Sequence, residues 1–175
     1  MLVPQRIVLD TTAFLAALPL MLYDAILYTT PSVVEEVRDA ESRSRLETAL
    51  VLERVRVVAP RWRYKRLVLR EATRLGLHTS LSNTDLDVAA LALQLRSEEG
   101  GVSVVTDDYA LQNLLGHLHI EWRPLRTRGI SRVEEYIVIC PVCGYKSEKP
   151  GEKVCPVCGT PLRRQRLSSS SPRRR

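Results

Sequence analysis

Cys140-Pro141-Val142-Cys143-Gly144 returns as Cys155-Pro156-Val157-Cys158-Gly159, and this pair of knuckles constrains the chain more than any other feature. Each CPxCG turn points two thiolates at one ion, and eleven residues separate the second cysteine from the third. Together Cys140, Cys143, Cys155 and Cys158 make a closed tetrahedral site for one Zn²⁺. The segment around them, residues 139–167, is too small to have its own core, so the metal holds it together. In an intracellular chain such clustering points to metal rather than disulfides. An iron–sulfur or rubredoxin-like site is the lesser alternative.

The rest of the chain is organised around Arg6-Ile7-Val8-Leu9-Asp10-Thr11-Thr12-Ala13-Phe14-Leu15. Ile7, Val8 and Leu9 are consecutive and apolar, as in a strand buried on both faces of a parallel sheet. Asp10 closes that strand at its carboxyl end, where open α/β sheets hold their ligands. The bland alternative makes Asp10 a helix N-cap, although Thr11 or Thr12 can also cap a helix beginning at Ala13. Strands expected at 25–28, 55–58, 102–105 and near 120–122 alternate with helical stretches. These are Phe14–Leu22 (interrupted by Pro19), a helix capped by Thr30 with Pro31 first, Ala40–Val51, a helix opening at Arg61, an apolar helix from Leu86 and a last one from Tyr109. This alternation predicts an α/β fold with a central, largely parallel sheet flanked by helices.

At 175 residues the chain has room for one ordinary domain and a small appendage, and 45% hydrophobic residues are enough for a real core. No apolar run approaches the ~20 residues of a membrane span, so a soluble, cytoplasmic protein is expected. The charge is uneven. Residues 1–125 carry 14 Lys and Arg against 16 Asp and Glu, a net −2, and residues 126–175 carry 12 against 4, a net +8. A basic end on a slightly acidic body suggests a polyanionic partner. Arg126, Arg128, Arg132, Lys146, Lys149, Lys153, Arg163, Arg164 and Arg166 flank the knuckles and are the candidate RNA-phosphate contacts. A solvated basic surface is the alternative. Ser168–Arg175 is low-complexity and reads as a disordered tail. Arg61-Trp62-Arg63-Tyr64-Lys65-Arg66 interleaves cations with aromatics; a solvated face with Trp62 folded onto the core is the commoner arrangement, and a stacking surface for nucleic acid is the other.

Acids recur at element ends: Asp10, Glu36, Asp85, and Asp107 or Asp108. Carboxylates brought together repel unless protonated or neutralised by cations. Oxygen-only ligation suits Mg²⁺ or Mn²⁺, which activates water and clamps an in-line phosphoryl displacement. No GxGxxG or GxxxxGKS/T occurs, and Thr12 stands where haloacid-dehalogenase phosphatases carry a second Asp. No Ser/His/Asp or Cys/His pairing is evident, and His78, His117 and His119 read as surface or satisfied histidines.

Ile7–Thr12, Thr30–Val37, Leu81–Ala92 and Val105–Asp108 resemble, in order and spacing, the four acidic motifs of the PIN-domain nucleases. That resemblance implies a metal-dependent endonuclease of single-stranded RNA, with Asp10, Glu36, Asp85 and Asp108 as the catalytic acids and Asp107 as a further ligand. Glu36, followed by Val37, fits the helix glutamate better than Glu35. Thr-x-Asp favours Asp108 as the fourth acid, and adjacency to the strand favours Asp107.

The order of a PIN-like domain (1–125), a basic linker (126–138), a zinc ribbon (139–167) and a Ser/Arg tail (168–175) resembles the Nob family of endoribonucleases. Asp107–Asn113 and Arg128-Gly129-Ile130 carry that likeness beyond the acids. It implies cleavage of precursor small-subunit rRNA, within a pre-ribosomal particle, to form the mature 3′ end by hydrolysis to a 3′-hydroxyl and a 5′-phosphate. The compact layout is similar to the archaeal members. A toxin-type PIN ribonuclease shares the acids but is usually a bare PIN domain. A noncatalytic RNA-binding assembly factor would tolerate loss of acids.

Overall fold

Ile7, Val8 and Leu9 are buried in the central strand of a five-stranded sheet. The computed structural model describes residues 5–78, 80–147 and 152–166. In it, β1 (Gln5–Leu9) lies between β2 (Ala25–Thr29) and β4 (Val102–Val105), with β3 (Val55–Val57) and β5 (Glu121–Arg123) at the two edges. Every pairing is parallel. A central parallel strand is covered on both faces, which is why its sequence is an unbroken apolar run.

Six helices connect these strands: α1 (Thr11–Leu15), α2 (Pro31–Glu36), α3 (Ala40–Val51), α4 (Trp62–Arg74), α5 (Asn83–Glu99) and α6 (Tyr109–His117). The chain steps outward from β1 through β2 to β3, then crosses back past β1 to β4 and β5. The reversal point therefore lies between β1 and β4, and ligands of open α/β sheets sit beyond the carboxyl ends of strands at such a point. Register makes the two ends level, with Leu9 opposite Val105.

The core runs through α5. Val88, Ala89, Ala90, Leu91 and Ala92 are all fully buried, and the small alanines let the helix lie close over β1 and β4. Ser82 caps this helix in a reciprocal capping box with Asp85, and Gly100 ends it at φ +89, a conformation that costs glycine least.

Three local expectations are corrected. The helix expected over Phe14–Leu22 is α1 alone, followed by a 3₁₀ turn at Leu18–Leu20. Ala17, left-handed at φ 55, separates the two, and Pro19 sits at the start of the turn, where its missing N–H is not needed. Trp62 does not fold onto the core: it is 68% exposed, with the Arg66 guanidinium stacked 4.8 Å from its ring centre. The buried stripe of α4 is Tyr64, Val68 and Ala72, and Trp62 lies off it. His78 is not a satisfied histidine: it is half-buried, and among the described residues neither ring nitrogen finds a hydrogen-bond partner.

The cysteine-rich end forms a second sheet, in which β6 (Tyr136–Ile139) pairs antiparallel with β7 (Lys146–Ser147) and β8 (Arg163–Arg166). β6 begins at Tyr136, inside the span read as linker. Lys149 and the Ser168–Arg175 tail lie outside the described residues.

What precedes β6 is a strap tied to the nuclease body. Asn113 Nδ2 donates to the Glu134 carbonyl at 2.8 Å, and the Glu134 N–H donates back to Asn113 Oδ1 at 2.6 Å. The Ile130 N–H donates to Gln112 Oε1 at 2.8 Å. Gly116 has no room for a side chain, since a Cβ there would stand 2.4 Å from a Val133 methyl.

Candidate active site and metal centres

The acidic edge is built by helix caps. Asp10 follows β1 in extended conformation, and its Oδ1 accepts the Thr11 N–H at 2.7 Å, making it the N-cap of α1. α1 accordingly starts at Thr11, ahead of the expected Ala13. The bland reading of Asp10 is thus correct as far as it goes. Its other oxygen, Oδ2, accepts the Thr106 hydroxyl at 2.7 Å in a buried setting. Burial is the main reason its pKa rises from 3.8 to about 6; the Thr106 and Thr11 hydrogen bonds oppose the rise, and the charges of Asp85 and Glu36 add to it.

Glu36 ends α2, a helix started by the Thr30 cap and Pro31. Its Oε2 accepts the Thr11 hydroxyl at 3.2 Å, which holds it beside Asp10. Asp85 stands in the first turn of α5, and its Oδ2 accepts both the N–H and the hydroxyl of Ser82 at 2.7 Å. Desolvation raises its pKa, Ser82 works against this, and Asp108 and Glu36 add like-charge repulsion. Asp108 caps α6 through the Leu111 N–H at 2.7 Å. Asp10, Glu36, Asp85 and Asp108 therefore come to one edge, each within the field of another.

Asp107 turns elsewhere. Its carboxylate accepts the N–H groups of Leu125, Arg126 and Thr127 at 2.8, 3.0 and 3.2 Å and the Thr127 hydroxyl at 3.2 Å. Desolvation would raise its pKa, but these hydrogen bonds outweigh it and hold the carboxyl below the usual range. The Leu125–Thr127 backbone thus takes up Asp107, and Asp108, the cap of α6, is the one left at the acidic edge.

Two residues at this edge had no role assigned from sequence. Thr106, fully buried, donates to Asp10 and accepts the Asp108 N–H at 3.1 Å through the same oxygen. Its signal was the hydroxyl of the Thr-x-Asp triplet itself. Asp87 accepts the Ser32 hydroxyl at 3.1 Å and pairs with Lys65 at 2.6 Å, joining α2 and α4 to α5 beside Asp85.

The acids fit an oxygen-ligated divalent cation by the chemistry of the donor set: four carboxylates lie within one another's field, and the pKa of two of them is raised. A carboxylate used as a cap keeps lone pairs for a metal. Their oxygens are spaced more widely than the cysteine sulfurs. Among the described residues, only the four cysteines bring three or more ligand atoms within 4.8 Å of one another.

In the ribbon, Cys140 Sγ lies 3.4 Å from Cys158 Sγ, Cys143 lies 3.4 Å from Cys155, and Cys158 lies 3.6 Å from Cys143. A zinc tetrahedron with ~2.3 Å Zn–S bonds has edges of roughly 3.8 Å, so the sulfurs fit this ion and are too far apart for disulfides. The knuckles are built alike. The Cys140 N–H donates to the Tyr145 carbonyl and the Cys155 N–H to that of Thr160, both at 2.8 Å, and Gly144 and Gly159 follow at φ +74 and +72. Without metal the thiols divide unevenly. The Thr160 hydroxyl and N–H bring Cys158 down to about 6, while at Cys143 the Tyr145 N–H is overcome by the surrounding sulfurs, which push it up to about 12.

The basic residues divide as well. Arg126, Arg128, Arg132, Lys146, Lys153 and Arg163 are exposed. Arg164 is committed to the Tyr136 ring, 3.6 Å away, and to the Ser80 hydroxyl, and Arg166 pairs with Glu134 at 2.9 Å.

A family model described as the PIN domain of ribonuclease matches residues 7–95, a span holding Asp10, Glu36 and Asp85. Over 171 residues the chain is 40% identical to Endoribonuclease Nob1 of Pyrococcus abyssi, covering 95% of this chain and 99% of that protein. The chain belongs to the Nob family of PIN-domain ribonucleases. A second Nob1, from Methanothermobacter thermautotrophicus, is 36% identical over 141 residues, 79% of this chain and 81% of that one. Ribonuclease VapC3 of Aeropyrum pernix is 45% identical over 129 residues, covering 71% of this chain and 89% of its own length. As a PIN-domain ribonuclease the chain acts on RNA and is metal-dependent. No helix among its described residues is long and apolar enough to cross a membrane.

Proposed function

We propose that this chain is a divalent-metal-dependent endoribonuclease that cuts single-stranded precursor small-subunit rRNA at its 3′ boundary, in the cytoplasm and within a pre-ribosomal particle. The observation carrying this reading is the convergence of Asp10, Glu36, Asp85 and Asp108 at one edge in a chain that matches a Nob1 endoribonuclease over 95% of its own length and 99% of that protein's. Asp10, Asp85 and Asp108 would hold the cation, together with Glu36, which stands beside Asp10 through Thr11. Mg²⁺ or Mn²⁺ held there supplies a water of lowered pKa and positive charge against the phosphodiester. Thr106 fixes one oxygen of Asp10, so the other lone pairs keep their direction as charge develops. Hydrolysis leaves a 3′-hydroxyl and a 5′-phosphate. The strap's Arg126, Arg128 and Arg132 and the zinc ribbon's Lys146, Lys153 and Arg163 would meet RNA phosphates, with Arg164 and Arg166 adding charge; Lys149, also a candidate contact, lies outside the described residues.

The test incubates purified protein with precursor rRNA spanning the 3′ boundary, with Mn²⁺ or with EDTA, and maps the ends. One metal-dependent cut with the stated end groups is expected. Its absence in every divalent ion leaves the noncatalytic RNA-binding role. The VapC3 match favours a second reading, a toxin-type PIN ribonuclease. Indifferent cleavage of unrelated RNAs would support it.

A further inference from the structure

Between α6, the strap and the ribbon lies a cleft of about 640 Å³. Its volume is that of a small-molecule site, and its lining carries three arginines, Arg132, Arg164 and Arg166, against one acid, Glu134. The walls are preformed: the hydrogen bonds of Gln112 and Asn113 hold the strap side, and Gly129 turns it at φ +68. Within the cleft, the groups differ in what they have left to offer. Arg164 covers the Tyr136 ring and Arg166 is paired with Glu134, so these form wall. Tyr109 is 54% exposed, and Arg132 makes no hydrogen bond or ion pair with any described residue. Tyr109 lines this cleft and directly follows Asp108, the cap of α6.

An open aromatic face and a free guanidinium in one cationic cleft match the two repeating features of a single strand, a base and a phosphate. We propose that this cleft is a nucleotide-binding site for single-stranded RNA, in which a base stacks on Tyr109 and Arg132 holds a phosphate of the same strand. The proposal rests on the reading of the chain as a ribonuclease and adds where the strand is held beside the cut. Because hydrogen bonds to Gln112 and Asn113 already hold the strap that forms one wall, the site costs less ordering on binding.

The experiment uses the full, zinc-loaded chain without added Mg²⁺ or Mn²⁺, with a fluorescein-labelled oligoadenylate and the corresponding abasic ribose-phosphate strand. Stacking of one base predicts about a tenfold preference of the wild type for the base-bearing strand. Tyr109→Phe should keep that preference and Tyr109→Leu should erase it. Arg132→Gln should weaken both strands alike and make the log–log salt slope shallower by about 0.7, the share of one single-strand phosphate. A preference that survives Tyr109→Leu, a wild type with none, or an unchanged slope in Arg132→Gln overturns the site. The ribonuclease reading is judged separately by cleavage with Mn²⁺: a Tyr109-dependent preference in a protein that never cuts upholds the cleft and removes the nuclease.

Discussion

The Thr106 hydroxyl donates to Asp10 Oδ2 at 2.7 Å, joining residues 96 positions apart. The same oxygen receives the Asp108 N–H, so one buried side chain orients both the first acid of the edge and the loop carrying the last. The parallel register of β1 and β4 makes this contact possible.

Thr106→Val keeps the shape and removes that node. Leaving the Asp108 N–H and the Asp10 oxygen short of a partner should cost about 1–3 kcal/mol, read by urea denaturation. Without this hydrogen bond the Asp10 pKa should also climb further, since Thr106 holds it down. The acid limb of the cleavage pH profile should move to higher pH in the valine variant and stay in place in Thr106→Ser. An unmoved limb in both would confine Thr106 to packing.

Asp10→Asn should abolish cleavage while leaving RNA affinity within about twofold. The metal-free fold should gain stability. Asp10 titrates at about 6 when folded against 3.8 otherwise, so the folded state prefers the protonated form. The penalty is absent below pH ~4, grows between the two values and is complete above pH ~6, at roughly 3 kcal/mol at most. Without added Mg²⁺ or Mn²⁺ the variant should melt higher than wild type at pH 7.5 and alike at pH 4. Equal differences at both pH values would contradict the burial of this charge.

Asp107→Asn and Asp108→Asn should separate. Asp108→Asn keeps a good cap and should lose cleavage severely. Asp107→Asn should mainly loosen the 125–127 turn, seen as faster proteolysis there with cleavage reduced far less. Acidification should loosen the wild-type turn too: a carboxyl held below its ordinary 3.8 contributes above that pH and loses its contribution as pH falls through the lowered value. The reverse ranking of the two variants would move Asp107 into the metal site.

Cys155→Ser should lose the single zinc and unfold the ribbon while far-UV circular dichroism retains the α/β signal. Elemental analysis finding no zinc in wild type purified without chelator contradicts the site.

Deleting residues 126–175 would test RNA binding poorly, because the strap covers Gln112, Asn113 and Gly116. Changing Arg126, Arg128, Lys146, Lys153 and Arg163 together to Gln leaves the strap in place. RNA affinity should fall, and its salt dependence should flatten by about 0.7 for each phosphate no longer neutralised. An unchanged slope would place RNA binding on Arg61–Arg66, where Trp62 and Arg66 are already stacked in the open.

Sequence alone determined what depends on near neighbours in the chain. The knuckles are closed by hydrogen bonds within a few residues, the caps of α2 and α5 lie within a turn of the groups they satisfy, and β1 and α5 announce their burial by unbroken apolar runs. Trp62 was misread as folded onto the core, although the Tyr64, Val68 and Ala72 stripe of its own helix excludes it. Only tertiary structure decided the rest. Whether Asp107 or Asp108 faces the acids depends on the Leu125–Thr127 backbone arriving beside β4 and consuming one of them. Whether residues 126–135 form a free linker or a strap depends on Gln112, Asn113 and Gly116 meeting it edge to edge. These are pairings between distant segments, set by strand order and register, and no local pattern of residue types encodes them.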